Sequence, residues 1–250
     1  MQTIKCSTHG TLNMLGLAKR VNARLLLTST SEIYGDPLEY PQKETYWGNV
    51  NCYGIRSCYD EGKRVAESMC FAYRHQNNVN VRIARIFNTF GPRMEPNDGR
   101  VVSNFIKYAL MGDPSKPIEI YGTGDQTRSF QYVGDLVQGL IALMHSDYSD
   151  PINIGNPSEY TIKDWAVIIR DILNPSMPVR HCPALGDDPK VRKPDISRAQ
   201  EILGWEPKVD PVDGLQPTIL YFKHILGLAE DGDEEPPLIW LQEMPDTLKE

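Results

Sequence analysis

The amino-acid sequence predicts an α/β fold built on a parallel sheet, and three observations support this prediction. A run of three leucines at 25–27 leads into four hydroxyl residues at 28–31. A second run with alternating apolar residues begins at 81 and ends at Asn88 and a Gly-Pro turn. Between the two runs lies a long segment whose apolar residues recur at helical spacing. A strand, a helix and a strand in this order form a crossover unit, and such units build parallel sheets.

The individual elements follow in chain order. Residues 10–20, "GTLNMLGLAKR", carry leucines and end in basic residues, as the carboxyl end of a helix favours. The apolar run in "ARLLLTSTSEIYGD" is typical of a strand buried on both faces. "VRIARIFNTFGPR" repeats this pattern, and "PINIGN" predicts a shorter third strand. Ligands of such sheets bind at the carboxyl ends of the strands, which is where Thr30, Ser31 and Asn88 fall.

The predicted organisation has three parts. Residues 1–92 hold the first crossover unit, and residues 93–228 form a mixed region of helices with one strand that returns to the sheet. Helices are expected in "VVSNFIKYALMG", "VGDLVQGLIALMHS", "IKDWAVIIRDIL", "DISRAQEILGW" and "GLQPTILYFKHIL". Residues 229–250 are acidic and interrupted by prolines, so we expect a mobile tail there.

Composition and charge exclude several classes of function. A net charge of -7 argues against a nucleic-acid partner or an anionic membrane surface, because both require clustered Lys and Arg. No apolar run approaches the roughly 18 to 20 residues of a membrane span. Five cysteines without a C-x-x-C pair indicate reduced thiols, and five scattered histidines predict no metal site. We therefore expect a protein of the cytoplasm or a similarly reducing compartment.

Tyr59 and Lys63 lie four residues apart in the predicted helix "RSCYDEGKRVAE". Residues at this spacing share a helix face, so the ammonium can lie beside the phenol. A free phenol titrates near pH ~10, and a nearby cation lowers that value by favouring the phenolate. The pair can therefore move the proton of a hydroxyl group, although the same spacing also occurs by chance on many helices.

With these motifs in place, the chain resembles the extended short-chain dehydrogenases/reductases, which remodel nucleotide sugars. The resemblance rests on "LLLTSTSEIYGD", Tyr59-x3-Lys63, "RIFNTFGPR", "YGTGDQTRSFQYVGDL" and "RKPDISRAQEILGW". Within this superfamily the motifs are most similar to those of the UDP-glucuronate decarboxylases. The resemblance implies a partial Rossmann-like sheet without its first strands and a smaller C-terminal substrate-binding region. It also implies NAD as the cofactor and conversion of UDP-glucuronate to UDP-xylose through a 4-keto intermediate.

The resemblance also implies roles for particular residues. Tyr59 would remove the proton of the sugar 4-hydroxyl, Lys63 would keep Tyr59 ionised and hold the cofactor ribose, and Thr30 would bind the 4-oxygen. Glu32 and Arg128 would handle the proton at C5 and the developing charge, and the sequence leaves open which of them does which.

The remaining implied contacts concern binding. Thr89 and Arg100 would contact the cofactor, together with Tyr59 and Lys63. Ser31, Asn88 and Arg192 would contact the substrate, with Arg192 pairing with phosphate because a guanidinium fork suits that group. For four of these residues a structural role remains open. Asn88 could cap the strand-end turn, and Arg192 could form a surface ion pair. Arg128 could be structural, and Glu32 could lie behind the reacting groups.

The sequence departs from the family at one conspicuous place. The family opens with a strand, a G-x-x-G-x-x-G turn and a helix that holds the pyrophosphate of NAD, and no such motif occurs here. We therefore expect an N-terminally truncated form with impaired NAD binding. The alternatives are a non-catalytic chain that dimerises with a full-length subunit, or a related epimerase or dehydratase. A homodimer is expected otherwise, and a Golgi location is the alternative if a natural N-terminal anchor is missing.

One short motif helps to choose among these relatives. Sugar-nucleotide dehydratases usually carry Thr-Asp-Glu after the strand, whereas this chain has Thr30, Ser31 and Glu32. The motif therefore favours a decarboxylase.

Overall fold

The computed structural model describes residues 1–184 and 191–236. The chain divides into two compact units. The first unit comprises Met1–Phe87, Gly139–Pro157 and Asp187–Glu206, and the second comprises Asn88–Gln138, Ser158–Gly186 and Pro207–Glu250. Of the acidic tail expected at 229–250, residues 237–250 lie outside the described residues.

The described residues form nine strands and eight α-helices. The strands are β1 (Leu25–Thr30), β2 (Val81–Ile86), β3 (Thr89–Phe90), β4 (Ile118–Tyr121), β5 (Thr127–Ser129), β6 (Gln131–Tyr132), β7 (Pro151–Ile154), β8 (Glu159–Thr161) and β9 (Val179–Cys182). The helices are α1 (Gln2–Lys5), α2 (Thr11–Val21), α3 (Ser57–Asn77), α4 (Val101–Met111), α5 (Val133–His145), α6 (Ile162–Leu173), α7 (Ser197–Leu203) and α8 (Leu215–Leu226). A π-helical turn, Cys6–Gly10, joins α1 to α2, and a 3-10 turn, Ser31–Tyr34, follows β1.

The first unit contains a parallel sheet in the order β1-β2-β7. Thr30 is in register with Ile86, and Ile86 with Ile154, so the three strands end at the same edge. The predicted α/β fold with a parallel sheet is thereby confirmed. Strand β7, in "PINIGN", lies beside β2 in this sheet. Its polar strand ends meet at one edge, which is where such sheets bind ligands.

Helices α2 and α3 cover the sheet at β1 and β2. Their apolar faces form a core with Leu15, Ala18, Leu27, Ala66, Cys70, Val79, Val81 and Ile83. Each helix ends at an asparagine in the left-handed region, Asn22 with φ 53° and Asn78 with φ 54°. Asparagine tolerates this conformation better than most residues, and the tight reversal leads into a strand within three residues. The caps therefore fix where β1 and β2 begin.

A buried polar network centred on Arg85 ties the sheet to α3 and to the segment after β1. Arg85 on β2 donates to both oxygens of Glu67, from Nε to Oε1 at 3.1 Å and from Nη2 to Oε2 at 2.8 Å. Its Nη1 also donates to the Tyr34 hydroxyl at 3.0 Å and to the Glu44 carbonyl at 2.9 Å. The Tyr34 hydroxyl in turn donates to Asn153 Oδ1 on β7 at 2.7 Å. These bonds connect β2 to helix α3, to strand β7 and to the segment that follows β1.

The second unit has its own hydrophobic core. Its strands pair as β3 with β6 and β4 with β9 in parallel, and as β5 with β8 in antiparallel fashion. The indole of Trp165 on α6 is fully buried against the rings of Phe90, Phe130 and Tyr160 at centroid distances of 5.7, 5.3 and 5.3 Å. Helix α6 begins with a capping box between Thr161 and Asp164. In the described part of the chain, no helix is long and apolar enough to span a membrane.

Candidate active site

Helix α3 presents Tyr59 and Lys63 on one face, within its first two turns. The Lys63 Nζ lies 5.9 Å from the centroid of the Tyr59 ring. The same Nζ donates to the carbonyl of Thr28 on β1 at 2.7 Å, which anchors the ammonium to the sheet. Burial lowers the pKa of Lys63. The two side chains therefore lie close enough for the cation to act on the phenol ring, as the spacing in the sequence predicts.

The end of β1 places three polar residues in sequence. Thr30 is buried, and its Oγ1 accepts a hydrogen bond from the Glu32 backbone N–H at 3.2 Å, which caps the 3-10 turn. Ser31 is also buried within this turn. Because the Thr30 oxygen is used as an acceptor, its own proton remains to be donated elsewhere. The turn thus fixes both the Thr30 hydroxyl and the direction of the Glu32 side chain.

Glu32 lies between two guanidinium groups. Arg192 binds it through two bonds, Nη1 to Oε1 at 2.5 Å and Nη2 to Oε2 at 3.0 Å, and Arg56 Nη2 lies 2.7 Å from Oε1. The Arg192 and Glu32 side chains are only 5% and 12% exposed. Burial raises the pKa of Glu32, but the two arginines outweigh burial, and the net effect is a lowered pKa. Glu32 is therefore held ionised at the strand end.

Two residues in this cluster were not identified from the sequence, Arg56 and Asp60. Arg56 immediately precedes α3 and supplies the second cation to Glu32. Asp60 follows Tyr59 and is 7% exposed. The four-residue spacing between Arg56 and Asp60 in "RSCYDEGKR" was the available signal, since it places both near one helix face. Spacing alone does not indicate that this face is turned toward Glu32.

Asn88 and Thr89 belong to the second unit, at the point where the chain leaves β2. The Asn88 carbonyl accepts from the Gln131 backbone N–H at 2.9 Å. The Thr89 Oγ1 accepts from the Gln131 side chain at 3.1 Å. Both residues are thereby fixed by the pairing of β3 with β6, and their contacts with substrate and cofactor stay predictions.

Arg128 and Arg100 also belong to the second unit. Arg128 on β5 is 7% exposed and donates from Nη1 to the Thr127 carbonyl at 2.8 Å. The Arg100 side chain is 67% exposed and lies 3.4 Å from Asp98 Oδ2. The burial of Arg128 fits a binding role better than the exposure of Arg100 does, and both roles stay predictions.

The fold and the site together define a class of protein. A parallel sheet with hydroxyl residues at a strand end, followed by a helix bearing Tyr-x3-Lys, is the arrangement of the short-chain dehydrogenases/reductases. The family model described as GDP-mannose 4,6 dehydratase matches residues 1–218. The chain belongs to this family, as the resemblance of its motifs predicts.

The curated relatives are named as decarboxylases. UDP-glucuronic acid decarboxylase 1 of Xenopus tropicalis is 58% identical over 223 residues, which cover 89% of this chain and 52% of the relative. UDP-glucuronic acid decarboxylase 3 of Arabidopsis thaliana is 59% identical over 215 residues, which cover 86% of this chain and 62% of the relative. The chain thus spans about half to three fifths of the length of these relatives.

The similar solved structures include epimerases. UDP-glucose 4-epimerase of Thermotoga maritima, with UDP-glucose, has a TM-score of 0.83 at 25% identity and covers 90% of this chain and 72% of that one. UDP-glucuronic acid 4-epimerase of Bacillus cereus, in complex with UDP-glucuronic acid and NAD, has a TM-score of 0.80 at 26% identity. That match covers 89% of this chain and 68% of the epimerase.

The residues of the first unit fit one end of the expected cofactor. Among the described residues, Lys63 Nζ donates to one main-chain carbonyl, and an ammonium has three donors. Two donors therefore remain for the hydroxyls of a ribose, next to a phenol on the same helix face. The glycine-rich turn that would hold the pyrophosphate does not occur in these 250 residues. The site fits the nicotinamide-ribose end of NAD, and the chain supplies no glycine-rich anchor for the phosphates.

Proposed function

We propose that this chain carries the reacting residues of a UDP-glucuronate decarboxylase, which forms UDP-xylose with NAD as its cofactor. The observation that carries the proposal is the ionised Glu32, held by Arg56 and Arg192 beside the strand that anchors Lys63. The 58% identity to a named UDP-glucuronic acid decarboxylase supports the same chemistry.

Tyr59, Lys63 and Thr30 of the first unit each have a role in the proposed reaction that their positions support. Tyr59 takes the proton of the sugar 4-hydroxyl, and the Lys63 ammonium lies 5.9 Å from the centroid of its ring. The Thr30 hydroxyl donates a hydrogen bond to the sugar 4-oxygen, because its own oxygen already accepts one from the Glu32 N–H. Lys63 would hold the ribose of NAD, which would supply hydride transfer from and to the sugar.

The arginines beside Glu32 favour loss of the carboxylate. A sugar that carries a ketone two carbons from its carboxylate loses carbon dioxide readily, because the electron pair of the broken bond is delocalised onto the ketone oxygen. Positive groups near the site stabilise the negative charge that develops in this step. Arg192 and Arg56 form such a positive pair, and Glu32 keeps both in place through its two oxygens.

The proposed activity predicts a defined product. Incubating the 250-residue chain with NAD and UDP-glucuronate should give UDP-xylose and carbon dioxide in equal amounts, measured by chromatography and by release of labelled carboxyl carbon. The test variant is Glu32→Gln, which keeps hydrogen-bonding atoms but loses the charge that pairs with Arg192. We expect its rate to fall at least 10²-fold, in the range of a lost electrostatic group.

The same assay separates the related activities. UDP-galacturonate as product would identify an epimerase, and a 4-keto-6-deoxy sugar from a neutral nucleotide sugar would identify a dehydratase. Either product without UDP-xylose would contradict the proposal. If the chain forms none of these products, pairing with another subunit through α2 remains as its proposed role.

An exposed apolar stripe on α2 favours a second role, pairing with another subunit. Met14, Leu17 and Val21 are 54%, 39% and 57% exposed and lie three and four residues apart, on one helix face. Water-exposed apolar stripes of this kind mark protein interfaces. We propose that this stripe pairs with the same stripe of a second copy, or with a longer subunit of the same family, in a dimer formed through α2.

The dimer predicts a change in molecular mass. Light scattering should give about twice the monomer mass of 28.3 kDa for the natural chain and the monomer mass for Leu17→Lys, because a charge on this stripe opposes its burial. The matched control is Ile225→Lys, which charges an equally exposed residue on α8, where we expect the dimer to persist. A monomeric natural chain at tens of micromolar would rule out the self-pairing.

A further inference from the structure

Asp60 is a buried carboxyl group that the chemistry described so far does not use. It lies on α3 directly after Tyr59 and is 7% exposed. Its Oδ1 is fully buried, and among the described residues nothing hydrogen-bonds to it. A buried, unpaired carboxylate oxygen is unfavourable, so this position favours the protonated form of the group.

The charged groups that face Asp60 come from three parts of the first unit. They are Glu32 from the turn after β1, Arg56 and Glu61 from α3 and its start, and Arg192 from the segment before α7. The net effect is to raise the pKa of Asp60 to about 6. Burial is the largest cause, Glu32 and Glu61 also raise the pKa, and Arg56 and Arg192 lower it. The pKa of Glu32 is shifted the opposite way, downward.

Two neighbouring carboxyl groups with opposite shifts are a common sign of divided acid and base roles. Glu32 is ionised between two arginines, so it holds no proton to give. Asp60 keeps its proton to a higher pH than an ordinary aspartate does, and its Oδ1 has no partner among the described residues. Within the described part of the first unit, Asp60 is thus the carboxyl group suited to act as an acid.

The proposed function requires such an acid. When a carboxylate loses carbon dioxide, the carbon–carbon bond breaks and its electron pair stays on the sugar. The sugar carbon must then take up one proton, so each turnover consumes a proton from the site. This requirement rests on the decarboxylase function proposed above.

We propose that Asp60 is the proton store of this site. The neutral Asp60 gives its proton to the sugar carbon through a water molecule. The sugar gains a carbon–hydrogen bond in place of its carboxylate, and Asp60 is left as a carboxylate. Solvent then returns the proton to Asp60. Because the proton passes through another group, Asp60 acts as a positioning residue for proton delivery.

The first test is made without any ligand. Carboxyl carbon NMR of the whole chain, labelled at aspartate, should show one aspartate with a midpoint near pH 6, as expected for Asp60. That signal should disappear in Asp60→Asn and persist in Glu61→Gln, which removes a charge one residue further along the helix. A set of aspartates that all titrate near the ordinary value of about 3.9 would overturn the proposal.

Folding stability supplies an independent readout. The unfolded chain releases the Asp60 proton near pH ~3.9, whereas the folded chain keeps it to about pH 6. Between these values the folded state binds more protons, so the free energy of unfolding decreases as pH rises. Asp60→Asn should flatten this decrease in urea unfolding, and Glu61→Gln should keep it. An unchanged slope in Asp60→Asn would count against the proton store.

The decisive test is turnover of UDP-glucuronate with NAD across pH. Asp60→Asn should lower kcat about 10²-fold, the effect of losing a general acid, with KM changed less than twofold. Asp60→Glu, which restores an acid, should regain at least a tenth of the natural kcat, and circular dichroism checks that each variant is folded.

The outcomes distinguish the two proposals. UDP-xylose formed equally well by Asp60→Asn would overturn the proton store and leave the decarboxylase function standing. No UDP-xylose from the natural chain would overturn both.

Discussion

Replacing Tyr59 by phenylalanine should lower the rate of UDP-xylose formation by about 10²- to 10⁴-fold, the range for loss of a positioned proton acceptor. The substitution removes one oxygen and leaves the ring beneath the Lys63 ammonium, so the contact at 5.9 Å is kept. The measurement is kcat for UDP-glucuronate, with ligand affinity followed separately by calorimetry. We expect affinity to change little, because the hydroxyl acts on the reacting proton.

The matched control for this prediction is Tyr53→Phe. Tyr53 is 95% exposed and lies six residues before Tyr59, so it loses the same atom without touching the site. Its kcat should equal that of the natural chain. A Tyr59→Phe variant that retains more than a tenth of the natural kcat would show that another group accepts the proton.

The second large effect concerns folding, and it centres on Arg85. Replacing Arg85 by methionine should lower the free energy of unfolding by about 3–5 kcal/mol, the cost of leaving a buried partner charge uncompensated. The Glu67 side chain is 13% exposed and would keep only the Ser29 hydroxyl, at 2.5 Å, of its present side-chain donors. Burial alone would lower the pKa of Arg85, but its bonds to Glu67 reverse this and raise the pKa, which indicates how strongly the pair interacts.

Urea unfolding followed by circular dichroism measures this change. A double variant, Arg85→Met with Glu67→Leu, should recover part of the loss, because replacing both members of a buried pair leaves no unpaired charge. The control is Lys116→Met in the second unit, whose exposed ion pair with Asp113 at 3.9 Å should leave the unfolding midpoint unchanged. Equal midpoints for Arg85→Met and the natural chain would contradict the prediction.

Features that depend on local spacing could be predicted from the sequence. The three strands of the first unit follow from apolar runs with polar ends, and the shared face of Tyr59 and Lys63 follows from the helical period. The polar strand end at Thr30 follows for the same reason. Each of these features is determined by a few residues that are close together in the sequence.

Features that depend on distant residues could not be predicted in the same way. Arg192 meets Glu32 from a separation of 160 residues, and no periodicity in either segment encodes that contact. The resemblance instead led to the prediction of a phosphate contact for Arg192. The raised pKa of Asp60 reflects its burial together with the charges of Glu32, Arg56 and Arg192, so it is a property of the assembled unit.

The long separation between Glu32 and Arg192 has a consequence for the order of assembly during synthesis. Strands β1 and β2 and helix α3 lie within the first 86 residues, so they can pair while the rest of the chain is still on the ribosome. Closing a loop of 160 residues costs entropy and must wait until the later segment has emerged. Until then only Arg56 of the two arginines can pair with Glu32, so the ion-pair cluster at the strand end is completed after the first strand–helix–strand unit has formed.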